Sequence, residues 1–239
     1  MKTANQISVV IPIYNEAQAL PLLIEQLEGV LKKNFKSFEL IPVNDGSTDD
    51  TGEYLNTLAK KKNYNALAFS KNQGQSAAIH YGVCSASHPL VVTMDADGQN
   101  DPEDIPALVA KYQKGRAVCG VRTGRKDYLL RRFFSFCARR ALNVAGGFRA
   151  RDPGCTLKVF AKEDFMHLPH FRGMHRFIPY LFHNIGVEVL QVEVRHHPRR
   201  GGKSKYRLWS RTFRVFFDIF GLFWLRKRTM KYFNYIKKG

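Results

Sequence analysis

A chain of 239 residues with 44% hydrophobic and 24% charged residues is long enough to bury a substantial core, which excludes a small cross-linked scaffold and a disordered chain. The net charge of +18 is unevenly spread: residues 1–110 carry 8 Lys, no Arg and 13 acids, a balance of −5, while residues 111–239 carry 30 Lys+Arg and 7 acids, a balance of +23. A basic half of that size suits a nucleic acid, an anionic membrane surface or a polyphosphate substrate, and charge by itself does not choose among them.

From the N-terminus, strand-like and helix-like stretches alternate. ISVVIPI precedes PLLIEQLEGVLKK, and FELIPV precedes DDTGEYLNTLAKK. NALAFS, GQSAAIHYGVCSA, PLVVTMD, PEDIPALVAKYQK and RAVCGV continue the series. Strands apolar throughout, separated by amphipathic stretches of about 10–15 residues, predict a mostly parallel sheet covered by helices: an α/β, Rossmann-like core. Asp101 before Pro102, with Asp104 three residues on, marks a helix start. In NDGSTDD, Gly46 suits a turn and Ser47, Thr48 or Asp49 the cap of the next helix.

Beyond residue 121 the texture changes. DYLLRRFFSFCARRALNVAGG has helical spacing, with Phe133, Phe134 and Phe136 interleaved with Arg131, Arg132, Arg139 and Arg140. A short strand CTLKVFA, a helix around MHRFIPYLFHNIG and a strand VEVLQVEV follow. The cationic loop RHHPRRGGKSKY then leads into LWSRTFRVFFDIFGLFWLRKR. Both aromatic, basic segments suit an interfacial position on an anionic leaflet, with Trp209 and Trp224 at headgroup level; packing on the core or on another subunit is the alternative. The domain reading is 1–205 catalytic, with a nucleotide-binding half 1–122 and an acceptor half 123–205, and 206–239 a basic amphipathic tail.

Cys84, Cys119, Cys137 and Cys155 have no metal-type spacing and read as reduced thiols. His196 and His197, with no ligand pattern around them, read as structural or solvent-facing. The apolar run in MKTANQISVVIPIYNE is too short for a signal peptide, and no window suits a membrane span, so the expected location is the cytoplasmic side.

The chemistry concentrates where strands end: IYNE (13–16), NDGSTDD (44–50) and DADGQ (95–99). Ligands of open α/β sheets gather beyond the carboxyl ends of strands. Asp95 and Asp97, one residue apart, repel each other unless a cation compensates, and a hard divalent ion such as Mg2+ or Mn2+ takes one or two carboxylates plus substrate phosphates. Asp97 with Gln99 suits direct ligation, and Asp95 suits a ribose hydroxyl or a water-mediated contact to the ion. The counterpart is a nucleoside diphosphate.

VVIPIYNE, VNDGSTDDT, SKNQGQSAAIHYG and VVTMDADGQNDPEDIP, in this order, resemble the inverting family-2 glycosyltransferases of GT-A fold. Among these the chain is most similar to the polyprenyl-phosphate sugar synthases, the group that includes dolichyl-phosphate mannose synthase. GVRTGRKD, RDPGCTLKVF, MHRFIPYLF and RGGKSKY extend the likeness to about residue 225. The resemblance implies that Pro12, Tyr14 and Glu16 line the nucleotide pocket, that Asp45 accepts a hydrogen bond from the base, and that Asp95, Asp97 and Gln99 form the metal and diphosphate site. It points to Arg122, Arg131 and Ser135 as ligands of the acceptor phosphate. Arg200, Lys203 and Lys205 would close over the donor diphosphate or the lipid phosphate, and Asp152 would orient the arginines. Asn44 stands where the family often has an acid, which implies altered nucleotide contacts.

The reaction so implied moves a hexose-type sugar, with inversion, from a UDP-linked donor to undecaprenyl phosphate at the cytoplasmic membrane face, for cell-envelope glycan or lipid A modification. The protein would be peripheral, would use Mg2+ or Mn2+, could form a homo-oligomer and would bind no nucleic acid. A lipid phosphate is already anionic and needs no catalytic histidine. The rival readings are a family-2 enzyme acting on a saccharide or protein hydroxyl and, from another class, a basic nucleic-acid-binding protein.

Overall fold

The computed structural model describes residues 6–123, 139–198 and 209–229, with backbone only for 209–216. Seven strands form one sheet: β1 (Gln6–Ile13), β2 (Ser37–Asn44), β3 (Leu67–Ala68), β4 (Leu90–Thr93), β5 (Arg116–Arg122), β6 (Lys158–Ala161) and β7 (Glu188–Val194). Their order is β3-β2-β1-β4-β6-β5-β7. β1 pairs in parallel with β2 and β4, β2 with β3, and β5 with β7, whereas β6 is antiparallel to both of its neighbours. Six strands therefore end, and β6 begins, along one edge of the sheet.

The helices are α1 (Leu20–Asn34), α2 (Thr51–Leu58), α3 (Gln75–Ser85), α4 (Ile105–Ala110), α5 (Lys162–Met166), α6 (Ile178–Asn184) and α7 (Trp209–Arg228); residues 139–146 are also helical. In α1 the apolar residues 20, 23, 24, 27, 30 and 31 recur at helical spacing and are buried, and Lys32 and Lys33 lie at the negative end of the helix dipole. One core lies between α1, α2, α4 and the sheet residues Ile7, Val9, Ile11 and Val92. The other lies between α3, α5, α6 and Val10, Ile41, Val43 and Val91, and it takes in Leu222 of α7. The two-sided burial explains why β1 and β2 are apolar on both faces.

Three expected elements come out shorter. β3 has two residues because the chain after Phe69 turns beneath Asp45. The stretch PEDIPALVAKYQK divides into a 3-10 turn (Pro102–Asp104) and the six-residue α4. Pro106 lacks the N–H that would bond to the Pro102 carbonyl, so the first turn cannot continue as an α-helix. The MHRF segment likewise starts as a 3-10 turn, Met174–Arg176, before α6. Asp101 caps the first of these turns, accepting from Glu103 N at 2.9 Å. At α2, Asp49 serves the first N–H by accepting from Thr51 N at 3.1 Å.

Gly82 of α3 lies against β1 and β2: a Cβ there would collide with Val10 Cγ1 and come 3.1 Å from Val43 Cγ2. Gly82→Ala is expected to destabilise by about 1–3 kcal/mol through overpacking, read as a lower denaturation midpoint at unchanged slope.

Glu28 ties α1 to the loop before β3, accepting from Lys32 Nζ (2.6 Å), Tyr64 Oη (2.5 Å) and Lys61 Nζ (3.1 Å). The Lys32 bond, then the Tyr64 bond, outweigh burial and hold this carboxyl down at about 2. A depressed carboxyl pKa contributes stability that is complete above the ordinary value and is lost as pH falls towards 2. Glu28→Gln is therefore expected to flatten the stability profile between about pH 4.5 and 2, measured by acid-series denaturation.

Candidate active site

The β1 and β2 ends are adjacent because Ile13 pairs with Asn44. Asn15, at φ 54, accepts from Thr48 N (2.7 Å) and donates from Nδ2 to Thr48 Oγ1 (3.1 Å), while Asn15 N and Glu16 N donate to Ser47 and Thr51 hydroxyls. These bonds knit IYNE to NDGSTDDT. Pro12 is half-buried in β1, and Tyr14 is exposed at the rim beside Glu16. Asn44 is buried and spends its amide oxygen on the turn, accepting from Ser47 N at 2.9 Å.

Asp45 is also buried. Its carboxylate accepts from Gln73 N (2.7 Å), Gly74 N (2.9 Å) and Asn72 Nδ2 (3.0 Å). Burial pushes this carboxyl above the usual range against the pull of the Gln73 and Gly74 N–H groups. Gly46 at φ 67 has no room for a Cβ, which would fall 2.6 Å from Asn72 N. The 72–74 loop is thereby clamped under the β2 end, and it leads directly into α3.

The first residues of α3 face two further parts of the edge. Gln75 donates from Nε2 to Asp95 Oδ1 at 2.7 Å. Ser76, buried, meets His175 Nδ1 at 2.8 Å and accepts from Gly173 N at 3.0 Å. One helical turn thus touches the β2 end, the β4 end and the segment before α6.

Asp95 and Asp97 follow β4, half-buried, with Gly98 at φ 72 turning the chain. Asp97 Oδ1 accepts from Gln99 N at 3.1 Å. Burial, and then the Asp97 charge, push the Asp95 carboxyl up to about 6, opposed by Thr156, Lys158 and Arg122. Lys158 opens β6 opposite Thr93 and is only 2% exposed, its Nζ bonded to the Cys155 carbonyl. Thr93 Oγ1 donates to Thr156 O (2.7 Å) and Thr156 Oγ1 to Asn100 Oδ1 (3.2 Å), so the strand opening into β6 is laced to the acid loop.

On the far side, Arg122 ends β5 and meets Asp152 in a bidentate pair: Nε to Oδ2 at 2.7 Å and Nη2 to Oδ1 at 2.8 Å. The side chains are 17% and 10% exposed. Burial disfavours the guanidinium charge, but the Asp152 bond and charge outweigh it and raise the Arg122 pKa. Beyond β7, Arg195 and His197 bind Asp101, and His197 N donates to Gln99 O at 2.9 Å. His197 therefore holds the basic loop's start against the acid loop. Arg131, Ser135, Arg200, Lys203 and Lys205 lie outside the described residues.

Residues 8–178 match the model of Glycosyl transferase family 2. The chain belongs to that family. It is 36% identical over 232 residues to the dodecaprenyl-phosphate galacturonate synthase of Rhizobium johnstonii, covering 92% of this chain and 68% of the relative. It is 35% identical over 206 residues to the undecaprenyl-phosphate 4-deoxy-4-formamido-L-arabinose transferase of Yersinia enterocolitica, covering 85% and 63%. The chain thus spans about two thirds of the length of these relatives. Its fold is that of the glucosyl-3-phosphoglycerate synthase of Mycobacterium tuberculosis, solved with Mn2+, UDP and phosphoglyceric acid: TM-score 0.71, 20% identity, covering 95% of this chain and 80% of that one. The architecture is GT-A, as the sequence motifs imply.

In this family-2 chain, the donor set after β4 suits a hard divalent ion. Asp95 and Asp97 offer carboxylate oxygens and Gln99 an amide oxygen, and the burial and the Asp97 charge that raise the Asp95 carboxyl are both relieved by a bound cation. Among the described residues no group of three or more His, Cys, Asp or Glu forms a cage. A hard divalent ion such as Mg2+ is commonly held by one or two carboxylates together with substrate oxygens, which this pair could provide for. Sequence reading passed over Gln75, Ser76, Lys158 and His175; the Gln75–Asp95 and Ser76–His175 bonds span 20 and 99 residues. The one sequence signal was a lysine inside the apolar run CTLKVFA, a polar residue where a buried strand leaves no water.

Proposed function

We propose that this chain transfers a sugar from a nucleoside diphosphate donor, UDP-linked, to undecaprenyl phosphate, with inversion and with Mg2+ or Mn2+ as cofactor. The observation that carries the reading is the division of one sheet edge into an acidic station after β4 and a braced arginine after β5, joined by the reversed β6. Pro12, Tyr14, Glu16, Asn44 and Asp45 form the nucleotide end. Asp95, Asp97 and Gln99 face the diphosphate, and a bound divalent ion there supplies charge neutralisation of the leaving group.

Arg122 uses two of its five N–H donors on Asp152, leaving the others for an acceptor phosphate held in line with the anomeric carbon. Arg131 and Ser135 are assigned to the same phosphate. Arg200, Lys203 and Lys205 are assigned to cover the anionic substrates, in a loop whose described start is held by His197 N on Gln99 O. A hydroxyl acceptor needs a general base, and His175 is unsuited: burial, then the Arg176 and Lys158 charges, hold it at about 3. A phosphate acceptor needs none.

The long, lipid-borne acceptor calls for a membrane surface, at the cytoplasmic leaflet. No helix among the described residues is long and apolar enough to cross a membrane. In α7, Leu222 is buried on the core, whereas Phe217, Phe220, Phe223 and Trp224 are exposed, with Lys227 over the Phe223 ring at 4.7 Å. Aromatic residues with flanking cations on one helix face suit the headgroup zone. The test is incubation of labelled UDP-sugars and Mn2+ with undecaprenyl phosphate and, separately, with a saccharide panel. Label is expected in the lipid phosphate; label in saccharide alone overturns the acceptor assignment, and binding of oligonucleotides without any nucleotide sugar overturns the enzyme reading.

A further inference from the structure

Ser76 and His175 form a pair that the transfer scheme above leaves unused. The Ser76 hydroxyl accepts from Gly173 N (3.0 Å) and from His175 N (3.4 Å), which occupies its two lone pairs. Its single hydrogen is then left for His175 Nδ1, 2.8 Å away. Nδ1 is thus the acceptor nitrogen, and the ring proton sits on Nε2. The ring is half-buried, and among the described residues Nε2 has no hydrogen-bond partner.

The pair stands beside the donor station. Gln75, next to Ser76, holds Asp95, and the Lys158 ammonium is within electrostatic reach of both Asp95 and His175. Burial and the two nearby cations keep the imidazole neutral. An uncharged N–H contributes little to a diphosphate, which is better matched by cations, but it suits a sugar oxygen. We propose that His175 is a specificity-determining residue that donates its Nε2–H to an oxygen of the transferred sugar, and that Ser76 is the positioning residue that fixes its tautomer. The inference rests on the nucleotide-sugar reading of the site.

The tautomer is read by side-chain 15N NMR of the full chain, with the His175 signals assigned by their loss in His175→Gln. A protonated Nε2 is expected in the wild type and a mixture of tautomers in Ser76→Ala; a wild-type proton on Nδ1 overturns the inference. Binding is then measured with Mn2+ and UDP, UDP-glucose or UDP-galacturonate. His175→Ala is expected to weaken the best-bound nucleotide sugar about tenfold, the value of one good hydrogen bond, and to leave UDP binding unchanged. His175→Gln, which keeps an N–H donor, is expected to recover part of the loss, and its unchanged UDP binding shows that the site is folded. If His175→Ala binds nucleotide sugar and UDP as the wild type does, this inference alone fails. If the wild type binds no nucleotide sugar of the panel, the donor reading fails and takes the inference with it.

Discussion

Asp97→Ala is expected to lower turnover by about 10²–10³-fold, the loss typical of removing one preorganised electrostatic group from a developing charge. Among the described residues Asp97 accepts one structural hydrogen bond, from Gln99 N, so the folded state should persist and the loss should be chemical. A second measurement isolates the cause. In wild type, nucleoside diphosphate with Mn2+ at about 100 times Kd should stabilise the fold by about 2.7 kcal/mol through mass action. Asp97→Ala should abolish the Mn2+-dependent part of that gain while keeping the unliganded melting temperature. An undiminished Mn2+ shift or undiminished turnover would remove Asp97 from the metal station.

Asp152→Ala is expected to have the largest effect on stability, because it strands a guanidinium that is 17% exposed at the end of β5. Breaking a buried pair from one side costs about 3–5 kcal/mol, much of it the penalty of the charge left behind. The double variant Arg122→Met/Asp152→Leu should regain most of that stability, since neither charge remains, and should still be poor in transfer with a raised acceptor KM. Denaturation midpoints and acceptor kinetics on the three proteins separate the two roles. A double variant restored in both respects would make the pair purely structural.

Much of the edge was legible in advance because its signals are local. The apolar runs that become β1, β2, β4 and β5 are buried on both faces, so a continuous hydrophobic stretch reports them directly. The Asp-x-Asp spacing likewise places both carboxylates on one short loop, and Asp101 before Pro102 reports its own capping bond. What was illegible depends on partners far along the chain. CTLKVFA reads as a strand, yet nothing local shows that β6 runs against its neighbours or that Lys158 faces inwards; both follow from pairing with Thr93 and Cys119. The motif resemblance gave Asp45 a nucleotide role, but nothing local shows that the 72–74 loop closes on its carboxylate. Ser76 and His175 read as ordinary helix residues, since their bond spans 99 positions. The Pro106 interruption of the helix after Asp101 was written in the sequence and was outweighed by the apolar spacing around it.

The reversed direction of β6 has a thermodynamic corollary. The polypeptide that carries Asp152 enters the sheet at the rung next to the one from which Asp95 leaves, and Thr93 and Thr156 bond across that junction. A ligand on one side that displaced this junction would move the other side through the same bond. Linkage then requires the effect to be mutual: whatever factor the first ligand confers on the second, the second returns to the first.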